Sequence, residues 1–282
     1  MIAVIVVNFG TSSLIAQYFK GHENLYIFDN FSSQDEVLRI SRVAEDFAAN
    51  LIRSPRNLGF GSAVNEAIKR AIIDGHSKFV VVNPDLLVSP QVVERMAALL
   101  SESPNVMLSP KIFDLHGGVW FEGSVILKWR GMARHAEASA DGFAPWLSGA
   151  CLAFSRHQWE LLEGFDEDYF LYWEDVDFTY RWTMRGGQLI VDSSLSAIHE
   201  VGGSQSSSGK SVLYTSMISR NRLLFARKNL GALSRFRWVV ATPLFVLSVV
   251  KNANHSTFRG NLRHLFAAAC NSFSVRPIKK AV

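Results

Sequence analysis

Phe79-Val-Val-Val-Asn-Pro-Asp85 sets four consecutive apolar residues against an amide, a proline and a carboxylate. A run of that kind, rich in β-branched side chains and closed by a proline turn, reads as a strand covered on both faces. The pattern recurs on either side of it. Ile2–Val7 is apolar and stops at Asn8, Leu25–Phe28 stops at Asp29-Asn30, and Val106–Leu108 is a further short run. Helical segments lie between. In Ser62–Ile73, Ala63, Val64, Ala67, Ile68, Ala71 and Ile72 share one face, with Asn65, Glu66, Lys69 and Arg70 opposite. Pro90–Leu100 follows Ser89, a good N-cap with proline at the first helical position. Alternation of this kind predicts an α/β fold with a mostly parallel central sheet flanked by helices. Ligands of such sheets lie beyond the carboxyl ends of the strands. The polar residues that end each run are therefore the first candidates for a site.

The chain has 282 residues, 48% hydrophobic and 19% charged, a composition that supports a full core and excludes a disordered segment. Its two cysteines, Cys151 and Cys270, have no metal-ligand spacing, which fits a reducing compartment and buried thiols. Met1–Val7 lacks a basic leader and runs into Asn8-Phe-Gly10 without a small-residue cleavage site, so it reads as a core strand. No stretch reaches the ~18 apolar residues of a spanning helix.

Charge is divided unevenly. Residues 1–200 carry all 25 acidic side chains against 16 basic ones, whereas 201–282 carry 13 basic and none acidic. An acidic body with a basic end points to an anionic partner for that end, a phospholipid surface or a pyrophosphate-linked acceptor. No stacking or groove-reading motif accompanies the charge, which argues against nucleic acid. Gly203-Ser-Gln-Ser-Ser-Ser-Gly209 separates the two parts, with basic, aromatic helices expected beyond it. Trp238–Val250 is an apolar run flanked by Arg235, Arg237 and Lys251. It is too short to span, Pro243 would kink it, and it suits a bilayer interface, a buried helix of the core or a dimer contact.

Two dense segments remain, Trp146–Phe154 and Gly164–Arg181. Taken in order, the chain's motifs are Val6-Val7-Asn8, Asp29-Asn30-x-Ser32, Asn57-x-Gly59-x-Gly61, Asn83-Pro84-Asp85, Ser148-Gly149-Ala150, Gly164-Phe-Asp166-Glu167, Glu174-Asp175-Val176-Asp177, His199 and Arg220-Asn221. This ordered set, over roughly residues 1–230, resembles family 2 glycosyltransferases of the GT-A fold. The resemblance is strongest to their rhamnosyltransferase-type branch. It implies a nucleotide-sugar-binding catalytic domain over 1–204 and a helical basic extension over 205–282. It also implies an inverting transferase that takes a sugar from a nucleoside-diphosphate donor, deoxythymidine-diphosphate-rhamnose or a uridine-diphosphate sugar. The acceptor is a saccharide or lipid-linked glycan of a cell-surface polysaccharide, at the cytoplasmic face of the membrane. A nucleotidyltransferase and a non-catalytic sugar-nucleotide module are the competing classes. The first would prefer a basic residue in the loop after strand one, which is absent, and the second has no need of the acidic trio.

Roles follow residue by residue. Asp29 is implied to contact the nucleoside; alone it also reads as a turn former with Asn30. Val7, Asn8, Asn57 and Asn83 are expected to line the same pocket. Gly59 and Gly61 permit close backbone approach at a helix N-terminus that favours anions, or simply make a tight turn. Asp85 is the candidate ligand for Mg2+ or Mn2+, with His199 completing the coordination. Asn83 stands where a second carboxylate is commoner. Asp175 is implied to be the base, with Glu174 beside it, and Asp177 is placed to pair with Arg181 at i+4. Trp146, Gly149 and Trp173 are candidates for the sugar or acceptor, and core packing explains either tryptophan equally well. Arg220 is a candidate for the diphosphate.

Overall fold

The computed structural model describes residues 1–127, 131–136, 144–200 and 212–251. The Gly203–Gly209 loop, the expected boundary at 204 and Cys270 lie outside these residues. The first half of the chain runs β1 (Ile2–Asn8), α1 (Ser12–Tyr18), β2 (Leu25–Asp29), α2 (Gln34–Asp46), β3 (Asn50–Arg53), α3 (Phe60–Ile73), β4 (Lys78–Val82), β5 (Leu86–Leu87), α4 (Pro90–Glu102) and β6 (Val106–Asp114). Then come β7 (Val119–Phe121), β8 (Ser124–Leu127), β9 (Met132–His135), β10 (Ala144–Pro145), β11 (Cys151–Ser155), α5 (Arg156–Leu161), α6 (Glu174–Thr183), β12 (Gln188–His199), α7 (Val212–Asn229), α8 (Ala232–Val240) and α9 (Thr242–Lys251).

The main sheet has the order β3-β2-β1-β4-β11-β6-β12-β5. β1 pairs in parallel with β2 and β4, and β12 with β6. β11 enters the middle antiparallel, Cys151 opposite Val82. The apolar runs of β1 and β4 are buried throughout, as strands covered by helices must be. α3 packs its predicted apolar face on β1 and β2, and Ser89 caps α4 through the Val92 N–H. The reversed β11 matters for function. It brings the Ser148-Gly149-Ala150 turn to the carboxyl end of β4.

Several details differ from the sequence reading. α3 starts at Phe60 rather than Ser62, because Gly59 at φ +85° turns the chain into the helix two residues earlier. Asn65, expected on the solvent face, is buried. Its Nδ2 donates to the Phe165 carbonyl (2.8 Å) and its Oδ1 accepts from the Phe165 N–H (2.9 Å). The Trp238–Val250 run is divided at Ala241 into α8 and α9, bent by 53°. Among the described residues no single helix is long and apolar enough to cross a membrane.

A second hydrophobic core joins the body to the C-terminal helices. Ile126, Trp146, Tyr169, Trp173, Val176 and Tyr180 pack with Leu224, Phe225 and Trp238. Beside it Arg222 is wholly buried. Its guanidinium donates to the Gly131 carbonyl, to Thr242 Oγ1 (3.1 Å) and to the Trp238 carbonyl (2.9 Å), and lies over the rings of Trp238 and Phe245. Burial pushes this group down to about 10.

Candidate active site

The carboxyl ends of β1 and β2 present Asn8 and Asp29 side by side. Asn8 Nδ2 donates to Asp29 Oδ1 (3.2 Å), while Asn8 Oδ1 accepts from the Thr11 N–H (3.0 Å) and hydroxyl (3.1 Å). Those last two bonds fix the amide so that its donor faces the acid. Asp29 Oδ2 is buried without a hydrogen-bond partner among the described residues. An open cleft of about 430 Å3 runs beside it, lined by Phe31, Gln34, Val37, Arg53, Ser54 and Pro55. Burial raises Asp29 above the usual carboxylate range, and the Asn8 bond opposes the rise. A ligand hydroxyl or ring N–H would satisfy the open oxygen. Val7 sits immediately inside, in the sheet.

The two glycines have a different job from the one expected. A Cβ on Gly59 would meet the Phe170 carbonyl oxygen at 2.2 Å, and one on Gly61 would meet Phe165 Cβ at 3.0 Å and Glu174 Cβ at 3.5 Å. The Phe60 N–H at the start of α3 donates to the Phe170 carbonyl (2.9 Å). That end of the helix is therefore covered by the chain's own 165–174 segment and is not an open anion site. Asn57 belongs to the same device. Its Oδ1 accepts from the Gly59 N–H (2.8 Å) and from Asn30 Nδ2 (2.9 Å), and Asn30 Oδ1 accepts from the Leu58 N–H (2.7 Å).

β4 ends at Val82, and Asn83-Pro84-Asp85 follows as a turn closed by the Leu86 N–H on the Asn83 carbonyl (3.1 Å). Here two distant residues meet. His199, last in β12, pairs with Leu86, and its Nε2 lies 3.2 Å from Asp85 Oδ1. Both side chains are buried, and the His199 ring packs on Trp120 at 4.3 Å. His199 Nδ1 has no hydrogen-bond partner among the described residues. No third His, Cys, Asp or Glu joins the pair among the described residues. One carboxylate and one imidazole are the kind of donors that Mg2+ or Mn2+ bound mainly through substrate phosphates would need from a protein.

The acidic trio opens α6, and its members part company. Asp175 Oδ2 accepts from the Gly149 N–H (3.0 Å) and Oδ1 from the Val176 N–H (2.8 Å). Gly149 is small because Asp175 lies on it, its would-be Cβ falling 3.3 Å from Asp175 Cβ. Asp177 turns inward, paired to Arg181 as expected (2.7 Å) and bonded to Asn229 Nδ2 (2.7 Å). Glu174 is buried, and its Oε2 has no hydrogen-bond partner among the described residues. Burial raises both Glu174 and Asp175. Glu174 stands well above the usual range, with the neighbouring Asp175 charge adding to the rise. The backbone N–H bonds hold Asp175 back. Burial and the adjacent charge thus push Glu174 up, while two backbone N–H groups favour the ionised form of Asp175.

One turn ties this carboxylate to the Asp85–His199 pair. The Gly149 N–H holds Asp175, and the next carbonyl, that of Ala150, accepts from the Asn83 N–H (2.9 Å), two residues before Asp85. Asp85 and Asp175 thus sit at the same end of the sheet, across the Ser148–Ala150 turn.

The backbone that delivers Asp175 is strained. Tyr172 and Trp173 are consecutive non-glycine residues in the left-handed region, at φ 67° and 75°. Asn221 on α7 holds them there, its Nδ2 donating to the Leu171 (2.9 Å) and Tyr172 (2.8 Å) carbonyls. Arg220, expected at a diphosphate, is buried instead under this loop, its Nη1 donating to the Asp168 carbonyl (3.1 Å) and Asn221 Oδ1 (2.6 Å). Trp173 likewise faces the second core, against Phe225 and Trp238, and is 6% exposed, so core packing is its role rather than a sugar platform. Trp146 belongs to that core too, but its ring borders Phe121 and His135, and its Nε1 has no hydrogen-bond partner among the described residues. His135, which the motifs did not single out, donates from Nδ1 to the Trp120 carbonyl (2.8 Å), and a positive charge on its ring would lower Asp175. No local signal marks His135. Asn221 did carry one, since an asparagine inside a helix competes for backbone bonds and needs a reason.

A mostly parallel sheet with the reversed strand β11 at its middle, an acid at the end of β2 and an Asp–His pair beyond β4 define the GT-A class of nucleotide-sugar folds. The likeness to solved structures agrees. A mannosyltransferase from Pyrobaculum calidifontis in complex with GDP-Man and Mn2+ superposes with a TM-score of 0.57 at 14% identity, over 96% of this chain and 86% of that one. The profile of glycosyl transferase family 2 matches residues 10–159, over half of the chain. The chain belongs to that family. N-acetylglucosaminyl-diphospho-decaprenol L-rhamnosyltransferase of Mycobacterium tuberculosis is 28% identical over 177 residues, 53% of this chain and 58% of the relative. The low-salt glycan biosynthesis hexosyltransferase Agl10 of Haloferax volcanii is 22% identical over 194 residues, 64% of this chain and 61% of the relative. The chain thus spans about three-fifths of the length of these relatives.

Proposed function

We propose that this protein transfers a sugar with inversion from a nucleoside-diphosphate donor to a hydroxyl of a saccharide or lipid-linked acceptor. Rhamnose carried on deoxythymidine diphosphate is the preferred donor, a choice supported by the mycobacterial relative's name. The observation that carries the reading is the Ser148–Ala150 turn, which tethers the Asp175 carboxylate on one side and the Asn83–Asp85 turn on the other.

The nucleoside lies in the cleft at Asp29, whose open oxygen takes a hydrogen bond from base or ribose. Asp85 and His199 hold Mg2+ or Mn2+, which when bound offsets the charge of the departing diphosphate. Asp175 accepts the proton of the acceptor hydroxyl as its oxygen bonds to the anomeric carbon, while the bond from that carbon to the diphosphate breaks. Two backbone N–H bonds hold the carboxylate at the correct angle, and its raised pKa brings its basicity toward the working pH. Burial of Glu174 beside it favours the neutral form there, which limits the negative charge next to the base.

The test is release of nucleoside diphosphate from a panel of sugar nucleotides, with and without saccharide acceptors. Asp175→Asn should lower turnover by roughly 10³-fold or more while donor binding, read by calorimetry, changes little. Turnover within a few-fold of the native protein would remove Asp175 from the mechanism.

A further inference from the structure

α8 and α9 are apolar on two sides. Trp238, Thr242 and Val246, at i+4 spacing, face inward and are buried. Leu233, Phe236, Val240, Leu244 and Leu247, at spacings of three and four, form a second stripe on the other side and are 54–74% exposed. A surface helix in water needs only one such stripe. Five large exposed apolar side chains along the bent pair mark a surface that something apolar covers.

Charge decides what covers it. Arg235 and Arg237 rim the stripe, and no acidic residue occurs after Glu200. Two copies of this face would bring like charges together, as would any basic partner. Shape adds a second constraint: the pair is bent by 53° at Ala241, which suits lying along a boundary better than crossing it.

We infer that the α8–α9 face is a docking surface for an anionic lipid bilayer, with Phe236, Val240, Leu244 and Leu247 seated in the interfacial region and Arg235 and Arg237 on the headgroups. The surface stands independently of the catalytic reading. Taken with the catalytic reading, on which this step rests, the arrangement says where a lipid-linked acceptor arrives. The inward side of α8 sets Trp238 6.0 Å from Trp173, which precedes α6 and its Asp175. The bilayer would thus lie on the far side of α8 from the core that holds the start of α6.

The experiment is co-sedimentation of the full chain with vesicles of phosphatidylcholine alone and of phosphatidylcholine mixed with phosphatidylglycerol. Native protein should bind the mixed vesicles, bind the neutral ones far more weakly, and be partly released by high salt. Phe236→Ser with Leu244→Ser should weaken binding by more than about tenfold. Arg235→Ser and Arg237→Ser should each cost about fivefold. Ile73→Ser, an exposed residue on α3, should change nothing. Thermal unfolding and donor hydrolysis should match the native protein in every variant but Arg235→Ser, which also loses its bond to the Leu230 carbonyl, and this separates failure of the surface from failure of the catalytic reading. Native protein that ignores anionic vesicles, or F236S/L244S that binds them undiminished, overturns the proposal. So does a native dimer that the same pair of substitutions dissociates without any lipid binding.

Discussion

Replacing Asn221 by alanine removes the clamp on the backbone that presents Asp175. The native amide donates to the Leu171 and Tyr172 carbonyls and accepts from Arg220 Nη1, all in a buried setting. Two neutral bonds at about 1 kcal/mol and one charge-assisted bond at about 2 kcal/mol make a loss of about 4 kcal/mol. Relaxation of Tyr172 and Trp173 from the left-handed region returns about 1–2 kcal/mol of it. The remaining ~2–3 kcal/mol corresponds to a fall in Tm of roughly 3–5 °C for a chain of this length. The relaxation also has a kinetic signature. If the loop moves, the base moves, and a displacement of about 1 Å costs on the order of 100-fold in kcat. Asn8 and Asp29 stand on β1 and β2 and are untouched, so the donor KM should hold. Steady-state kinetics normalised to folded enzyme, beside differential scanning fluorimetry, read both quantities. A variant with native Tm, or one that loses stability while its normalised kcat stays within about twofold, would refute the clamp.

Glu174→Gln tests the division of labour in the acidic pair. Because burial raises Glu174 in the folded state, its neutral form stabilises the fold. That contribution is complete below the ordinary glutamate range and is lost as pH rises through the raised value. The glutamine variant should therefore keep its Tm on going from acid to neutral pH where the native protein loses some, and it should retain most of its transfer activity. Equal Tm–pH profiles would show that Glu174 is not held neutral. Asp85→Ala and His199→Ala should each weaken stimulation by Mn2+ by about tenfold or more, seen in titrations of a chelator-treated enzyme, and either variant keeping the native titration curve would separate that residue from the cation. Gly59→Ala should fail to fold or lose more than about 3 kcal/mol, as its Cβ would fall 2.2 Å from a carbonyl oxygen at a φ of +85°; soluble protein with native stability in urea melts would contradict the packing.

The strands of the sheet announce themselves because their apolar runs are unbroken and end in polar turns. β1, β2 and β4 lie within a residue of their expected limits. β3 and the β7–β10 strands are invisible in the same reading, since Asn50–Arg53 and Val119–Phe121 are too short and mixed to show a period. Asp29, Asp85, Asp175 and His199 stand at strand or helix ends, where a sequence argument can look for them. Their roles as ligands and base still await the tests above. What patterning misjudged are residues whose partners are far away in the chain. Gly59 and Gly61 look like an anion loop, yet what demands them is Phe170 and Glu174, more than a hundred positions on. Arg220 is basic and near the site in order, but it is spent on the Asp168 carbonyl. Asn65 looks solvent-facing by periodicity, and a single distant backbone pair at Phe165 overrides that.

The buried guanidinium of Arg222 makes the C-terminal helices hard to trim. Two of its three acceptors, the Trp238 carbonyl and the Thr242 hydroxyl, belong to α8 and α9, and the third lies at Gly131, 91 positions upstream. A shortened chain ending after α7 would strand a cation in an apolar pocket with Gly131 as its one remaining acceptor. Solubility gained by cutting away the greasy, basic end would be taken back from the roof of the catalytic half.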